Sequence, residues 1–303
     1  MSEAAEKRAA PMLGKPRGSL RRQRRRQLIL HLAVVIPALL FALFPIIWII
    51  SAAFNPSSSM ATQSLIPARA STINFRELIE DPLHPVFLWI WNSVKVSAIT
   101  AVLAVFVTSL TAYAFSRFRF WGRRSLLLTI LLIQVFPNML TIVALFLLLR
   151  QIGDYVPSLG LNTHGGLILV YLGAQMGINI WLMKGFFDSI PRDIDESAMV
   201  DGASHWQAFW RLIFPLVRPI IAVVGILAFV GSFNEFILAN VILRSTEQFT
   251  LMVGLYIFVT QNFAQSWGIF AAGAIMGAIP IALIYILLQD QIVGGLTQGA
   301  VKG

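Results

Sequence analysis

Few side chains here are of types that do chemistry, and their spacing excludes most of what such residues can do. The four histidines, His31, His84, His164 and His205, are scattered without ligand spacing, and cysteine is absent. Metal is expected at none of them, and disulfides, thiolate sites and cysteine nucleophiles are ruled out. The sequence contains neither an H-E-x-x-H pair nor a G-x-S-x-G elbow. Its ending, "GGLTQGAVKG", is rich in glycine but lacks the G-x-x-x-x-G-K-[ST] spacing that cradles phosphates. No catalytic residue is assigned, and the chain is expected to bind no cofactor and to hydrolyse no nucleotide itself.

Two constellations survive this sieve. One is Glu235 in "SFNEFILAN", an acid inside an apolar segment with Asn234 and Asn240 close by. It reads as polar lining of a pathway or, more commonly, as a carboxylate satisfied near a membrane surface. The other is "ESAMVDGASHWQAFWRLIFP", residues 196–215. Pro191 opens a short helix with Asp193, Asp195 and Glu196 near its positive end. Asp201-Gly202 is a turn signal, since glycine adopts a left-handed backbone without steric cost. Ser204 can cap a second helix, in which Trp206, Phe209, Trp210 and Ile213 fall on one face. Pro215 and Pro219 end it. Taken alone, the segment reads as two short helices with an apolar face, suited to lying on headgroups.

The elements that must position this segment are apolar. The 303 residues are 57% hydrophobic and 12% charged, about half the charge of a soluble domain. Six blocks have the length a helix needs to cross a bilayer: about 28–50, 88–115, 125–149, 166–187, 218–243 and 268–289. They are continuous rather than alternating, so barrel strands are excluded. The fold class expected is an all-α membrane protein with six transmembrane helices.

Residues 1–27 form a basic tail expected to be disordered, and the apolar run that follows is too long for a cleavable leader. Eighteen of the 23 Lys and Arg fall in that tail, the 116–124 loop, the 184–218 segment and the C-terminal tail 290–303. Only Arg69, Arg76, Lys95, Arg150 and Arg244 lie opposite. Positive residues stay inside, so both termini and residues 191–215 are expected in the cytoplasm. The net charge of +9 thus reports orientation and lipid contact, not nucleic acid. Pro37, Pro45, Pro137 and Pro280 lie within spans, and Pro137, in "IQVFPNML", is the hinge candidate. "GAQMG" (173–177) and "GAIMG" (273–277) allow close helix approach. In "GLNTHGG" (160–166), Asn162 or Thr163 can cap the fourth span.

Glu196-x-Ala198-x-x-Asp201-Gly202-Ala203, nine residues, then Ile213-x-Pro215 resembles the EAA loop of binding-protein-dependent ABC importer permeases. The family pattern is EAAxxDGA, nine residues, then IxLP. Ser197 stands where that pattern has alanine, and Phe214 where it has leucine. "WNSVKVSAIT", "TAYAFSRFRFWGR", "QVFPNMLTIVAL", "GLNTHGG" and "GLTQGAVKG" are similar to the maltose/maltodextrin branch of the family. The likeness covers residues 28–50 and 85–303.

The resemblance implies a type I importer permease in a bacterial or archaeal inner membrane. Its partners would be a second permease of the MalF type, an ATPase homodimer of the MalK type that uses ATP and Mg, and a soluble sugar-binding protein. It implies that Glu196, Ser197, Ala198, Asp201, Gly202, Ala203, Ile213 and Pro215 form the loop that docks on the ATPase. It further implies that Gln298, Gly299, Ala300, Val301, Lys302 and Gly303 reach between the ATPase subunits. Gln261 and Asn262, in the outer loop before the last span, would face the sugar-binding protein. The membrane sugar site would belong mainly to the other permease. A permease for a related disaccharide such as trehalose is the near alternative. An ion-coupled secondary carrier is the alternative from another class, disfavoured because such carriers bury ionisable groups.

Overall fold

The computed structural model describes residues 17–56, 64–67, 69–135, 138–260 and 266–300, with side chains between residues 25 and 289 except Asn138 and Met139. Among the described residues there is no strand. In chain order the helices are α1 (Arg17–Phe54), α2 (Ile73–Glu80), α3 (Val86–Arg117), α4 (Arg123–Val135) and α5 (Asn138–Tyr155). α6 (His164–Asp188), α7 (Asp193–Val200), α8 (His205–Ala208) and α9 (Phe214–Leu216) follow. The chain ends with α10 (Arg218–Asn234), α11 (Ile237–Ile242), α12 (Leu251–Tyr256) and α13 (Trp267–Ala300).

Four of these are long and apolar enough to cross a membrane, over residues 25–54, 86–117, 164–188 and 267–289. The pairs α4 with α5, and 205–216 with α10, bring the number to six if each is one span. α3 is the axis, packed between α6 and α10. Its inward face carries Ser93, Ser97, Thr100, Ala101, Ala104, Thr108, Ser109 and Ala112, all buried. Small side chains let helices approach where lipid supplies no hydrophobic drive, and hydroxyls can bond back to their own helix. Thr108 and Ser109 do so, donating to the Ala104 and Val105 carbonyls at 2.5 Å each.

α13 packs on α1, α2 and α10. It also meets α12, and Gly273 and Gly277 admit that helix, because a Cβ at either would lie 2.2 Å from an α12 leucine side chain, Leu255 or Leu251. The other glycine pair divides: Gly177 sits against Gln134, whereas Gly173 faces open space. α1 runs through Pro37 and Pro45 without a break, and α13 through Pro280. Pro137, the hinge candidate, lies outside the described residues.

The apolar run at 218–243, expected as one helix, is two. α10 stops at Asn234 and α11 begins at Ile237. Glu235 accounts for the break. Its Oε1 accepts the Leu238 N–H at 2.8 Å, and its Oε2 accepts the Ala239 N–H at 3.1 Å and the Tyr171 hydroxyl at 2.8 Å. A carboxylate that caps the N–H groups of a new helix satisfies donors that an interruption would otherwise leave bare.

Candidate functional site, a two-helix element on a buried ionic root

Residues 188–217 form a compact element at one end of the bundle, and local chemistry shapes its tip. α7 ends at Val200, after which the Ala203 N–H bonds the Ala198 carbonyl at 2.9 Å and the Gly202 N–H bonds that of Met199 at 3.0 Å. This is the paired closure of a Schellman motif, which needs a left-handed residue at its second-last position. Gly202 is that residue, with φ +85. Ser204 then opens the second helix with a reciprocal cap. Its Oγ accepts the Gln207 N–H at 3.3 Å, and Gln207 Oε1 accepts the Ser204 N–H at 2.9 Å.

Beyond α8 the helix widens into one π turn, Phe209–Ile213. It closes through α9 and turns by 80° into α10. Pro215 and Pro219 bracket that corner, each lacking the N–H that would continue a straight helix.

The apolar stripe read from the sequence splits by burial. Phe209 and Ile213 are fully buried, with Ala112, Tyr113, Met183, Phe187 and Val217 around them. Phe209 lies 4.9 Å from the Tyr113 ring. Trp210 is half-buried and packs on Phe214 at 4.7 Å. Trp206 remains 58% exposed and Val200 87% exposed. Glu196, Ser197, Asp201 and Gly202 are exposed beside them, while Ala198 is buried. The tip therefore presents apolar and acidic groups together on a fixed backbone.

Polar groups from α3 and α6 anchor the base. Arg117 Nε approaches Asp195 Oδ2 at 2.8 Å, with side chains only 6% and 7% exposed, as an ion pair rather than an aligned hydrogen bond. The Tyr113 hydroxyl donates to Asp195 Oδ1 at 3.1 Å. Arg192 donates to the Ser116 carbonyl at 2.9 Å, Arg117 to the Ile190 carbonyl at 3.2 Å, and Ser116 Oγ to Asp188 at 2.7 Å.

Asp195, Tyr113, Arg117 and Arg192 were not singled out as site residues by sequence reasoning. Asp193, Asp195 and Glu196 all suit a helix N-terminus equally, and only tertiary packing distinguishes the buried one. The clue available was an arginine ending the long apolar segment, in "TAYAFSR", with an acid cluster elsewhere on the same expected side.

The opposite end is built differently. Asn162, at φ 57, accepts the Arg244 and Ser245 N–H groups on Oδ1 at 2.8 and 3.0 Å. Thr163 caps α6, accepting the Gly166 N–H at 3.0 Å. His164 Nε2 lies 2.9 Å from the Gln248 carbonyl, Trp89 Nε1 donates to that of Thr246 at 2.9 Å, and Asn92 donates to Glu247 and Phe249. Gln298, Gly299 and Ala300 are in the last turn of α13. Gln261, Asn262, Val301, Lys302 and Gly303 lie outside the described residues.

A family model, "Binding-protein-dependent transport system inner membrane component", matches residues 104–294, which include the whole two-helix element. The chain belongs to this family. The Salmonella typhimurium maltose/maltodextrin transport system permease protein MalG is 41% identical over 293 residues, 93% of this chain and 97% of its own. The Escherichia coli K12 MalG is 40% identical over the same length. Among solved structures, a chain of a bacterial ABC transporter that imports the acidic polysaccharide alginate matches with a TM-score of 0.69 and 28% identity. That match covers 89% of this chain and 97% of the alginate transporter's. The chain is a membrane-embedded transport component, a permease of the ABC importer class and not an enzyme.

Proposed function

We propose that this chain is one of two permease subunits of an ATP-driven importer for maltose and maltodextrins. The reading rests on identity above 40% to a MalG permease over 93% of the chain. In this reading a second permease completes the pathway, two ATPase subunits bind ATP and Mg, and a soluble protein delivers the sugar. On the same reading the chain lies in an inner membrane with both termini and residues 188–217 on the cytoplasmic side, the orientation that its distribution of Lys and Arg favours.

The two-helix element is the coupling piece. A lever must be stiff, and its load must reach the spans. Capped helices and the Gly202 closure make the tip rigid. The Arg117–Asp195 pair and the Phe209–Tyr113 contact join it to α3, so displacement at Val200 and Trp206 reaches the helix on which α6 and α10 pack. Glu196, Ser197, Ala198, Asp201, Gly202 and Ala203 form the docking tip, and Ile213 and Pro215 secure its second helix. Residues 298–303 reach the ATPase pair, and Gln261 and Asn262 meet the sugar-loaded protein with amides that suit hydroxyls. Pro137 serves as a hinge between α4 and α5. Identity of the sugar rests chiefly with the binding protein.

The test is ATP hydrolysis and sugar uptake by the complex co-purified with this chain and reconstituted in lipid. Hydrolysis should rise when maltose-loaded binding protein is added, with uptake independent of ion gradients. Uptake that follows an ion gradient, with no co-purifying ATPase, would overturn the reading.

A further inference from the structure

A second cluster of charge lies beside the coupling element without taking part in it. Arg119, Arg123, Arg124 and Lys184 line an open cavity of about 600 Å³ between the end of α3, the start of α4 and the last turn of α6. Lys184 pairs with Asp188, which also accepts Ser116 and lies within electrostatic range of Arg123. That carboxylate offsets one of the four positive charges. Among the described residues no hydrogen bond or ion pair is made by the guanidinium groups of Arg119, Arg123 and Arg124, beyond the longer-range attraction of Arg123 to Asp188, although such groups bind carboxylates and phosphates well when either is at hand.

The cavity floor adds the start of α4, a 13-residue helix entered through Gly122 at φ +81. Backbone N–H groups of a first helical turn favour an anion. The arginine side chains and the helix end thus converge on one volume.

The surroundings say where the anion comes from. Trp121, in sequence between the lining residues Phe120 and Gly122, is 99% exposed, and Leu128 and Leu132 on α4 are 48% and 70% exposed. A freely exposed indole is costly in water and favoured at the headgroup level of a bilayer. Leu128 and Leu132 share with Leu131 and Val135 the face of α4 that carries Arg124, at helical spacing, as an exposed apolar track. A free phosphate would use the arginines and leave the apolar rim without a partner, whereas a phospholipid uses both.

We propose that this cavity binds the phosphate of an anionic phospholipid headgroup, with Arg119, Arg123 and Arg124 as its ligands and the acyl chains lying along α4. Lys184 and the α4 N-terminus complete the positive field. The site is linked to the root of the coupling element, because Lys184 on its wall pairs with Asp188, which accepts the Ser116 hydroxyl and precedes α7. Lipid held here would fix the position of α4 relative to that root.

The test uses the full complex reconstituted in an equal mixture of phosphatidylglycerol and phosphatidylcholine, then extracted gently and weighed with its retained lipid by native mass spectrometry. Wild type should retain phosphatidylglycerol selectively. R119Q/R123Q/R124Q should lower that preference about 100-fold, since each basic residue near an anionic surface contributes about 1 kcal/mol. A control, R21Q/R22Q/R24Q, removes the same charge from the N-terminal segment and should retain the preference. Equal loss in both variants would reduce the effect to diffuse attraction and overturn the site. Displacement of the lipid by millimolar inorganic phosphate would reassign it to a free anion.

If the triple arginine variant fails to assemble, the wild-type complex still decides. The fluorescence difference between wild type and W121F should be quenched more by brominated phosphatidylglycerol than by brominated phosphatidylcholine. Equal quenching would overturn the proposal.

Discussion

The two ends of the bundle hold their loops by opposite means. At the coupling end, a charged pair sits under the element: Arg117 and Asp195 are almost wholly buried, and the tip above them is exposed. At the other end, neutral side chains bind backbone. Asn162, Asn92, Trp89 and His164 each engage main-chain groups of residues 244–249. A buried ion pair is strongly directional in its dependence on both partners, since removing one leaves a charge without compensation. Neutral amide and indole bonds are smaller individually and are distributed over several groups. The first arrangement makes an element stand or fall as a unit, which suits a part that transmits force. The second clamps a loop to helices that must stay closed.

This contrast predicts a graded series. Asp195→Ala should have the largest effect, about 3–5 kcal/mol, because Arg117 stays buried without its partner. Thermal melting of the assembled complex should fall accordingly, and the Arg117→Met/Asp195→Leu double variant should recover much of the loss. A double variant no better than the single would show that the root is not held by charge pairing.

Asn162→Ala should cost about 2–3 kcal/mol, from its left-handed backbone together with the lost bonds to Arg244 and Ser245. Its damage should be confined to the opposite end, with hydrogen exchange rising across 242–249 and unchanged across 193–204. Spread of the effect to the coupling element would deny the separation of the two ends.

Gly202→Val should cost about 1–2 kcal/mol, through backbone strain alone, because no atom lies within 4 Å of the added Cβ. Insertion and assembly should therefore survive while coupled transport is lost. Ordinary uptake by this variant would argue that the turn has no mechanical role. Ser204→Ala should be the mildest, about 1 kcal/mol from the lost cap, read as faster amide exchange at Gln207.

What the sequence could disclose followed the range of the forces involved. The all-helical membrane class was legible because span length and continuous hydropathy are properties of each segment alone. So was the shape of the tip: Asp201-Gly202 and Ser204 act within a few residues of themselves. The role of Glu235 was not legible. Its segment reads as one apolar run, and the break depends on a carboxylate meeting Tyr171 and the α11 amides at once. The root was hidden for a similar reason, since three acids near Pro191 look alike until Arg117 selects Asp195. Phe209 and Trp206 likewise shared a stripe, and only the packing of α3 and α6 buried one and exposed the other.

The measurement that tests the central claim most directly exploits the absence of cysteine. A single cysteine is placed at Val200 on the coupling tip or at Tyr155 at the opposite end, both more than four-fifths exposed. Each complex is then treated with a short thiol-to-amine crosslinker. If the two-helix element docks on the ATPase, V200C should crosslink to that subunit in high yield, with a change on nucleotide binding, and Y155C should not. Crosslinking from Y155C with none from V200C, in a complex that still hydrolyses ATP, would contradict the account.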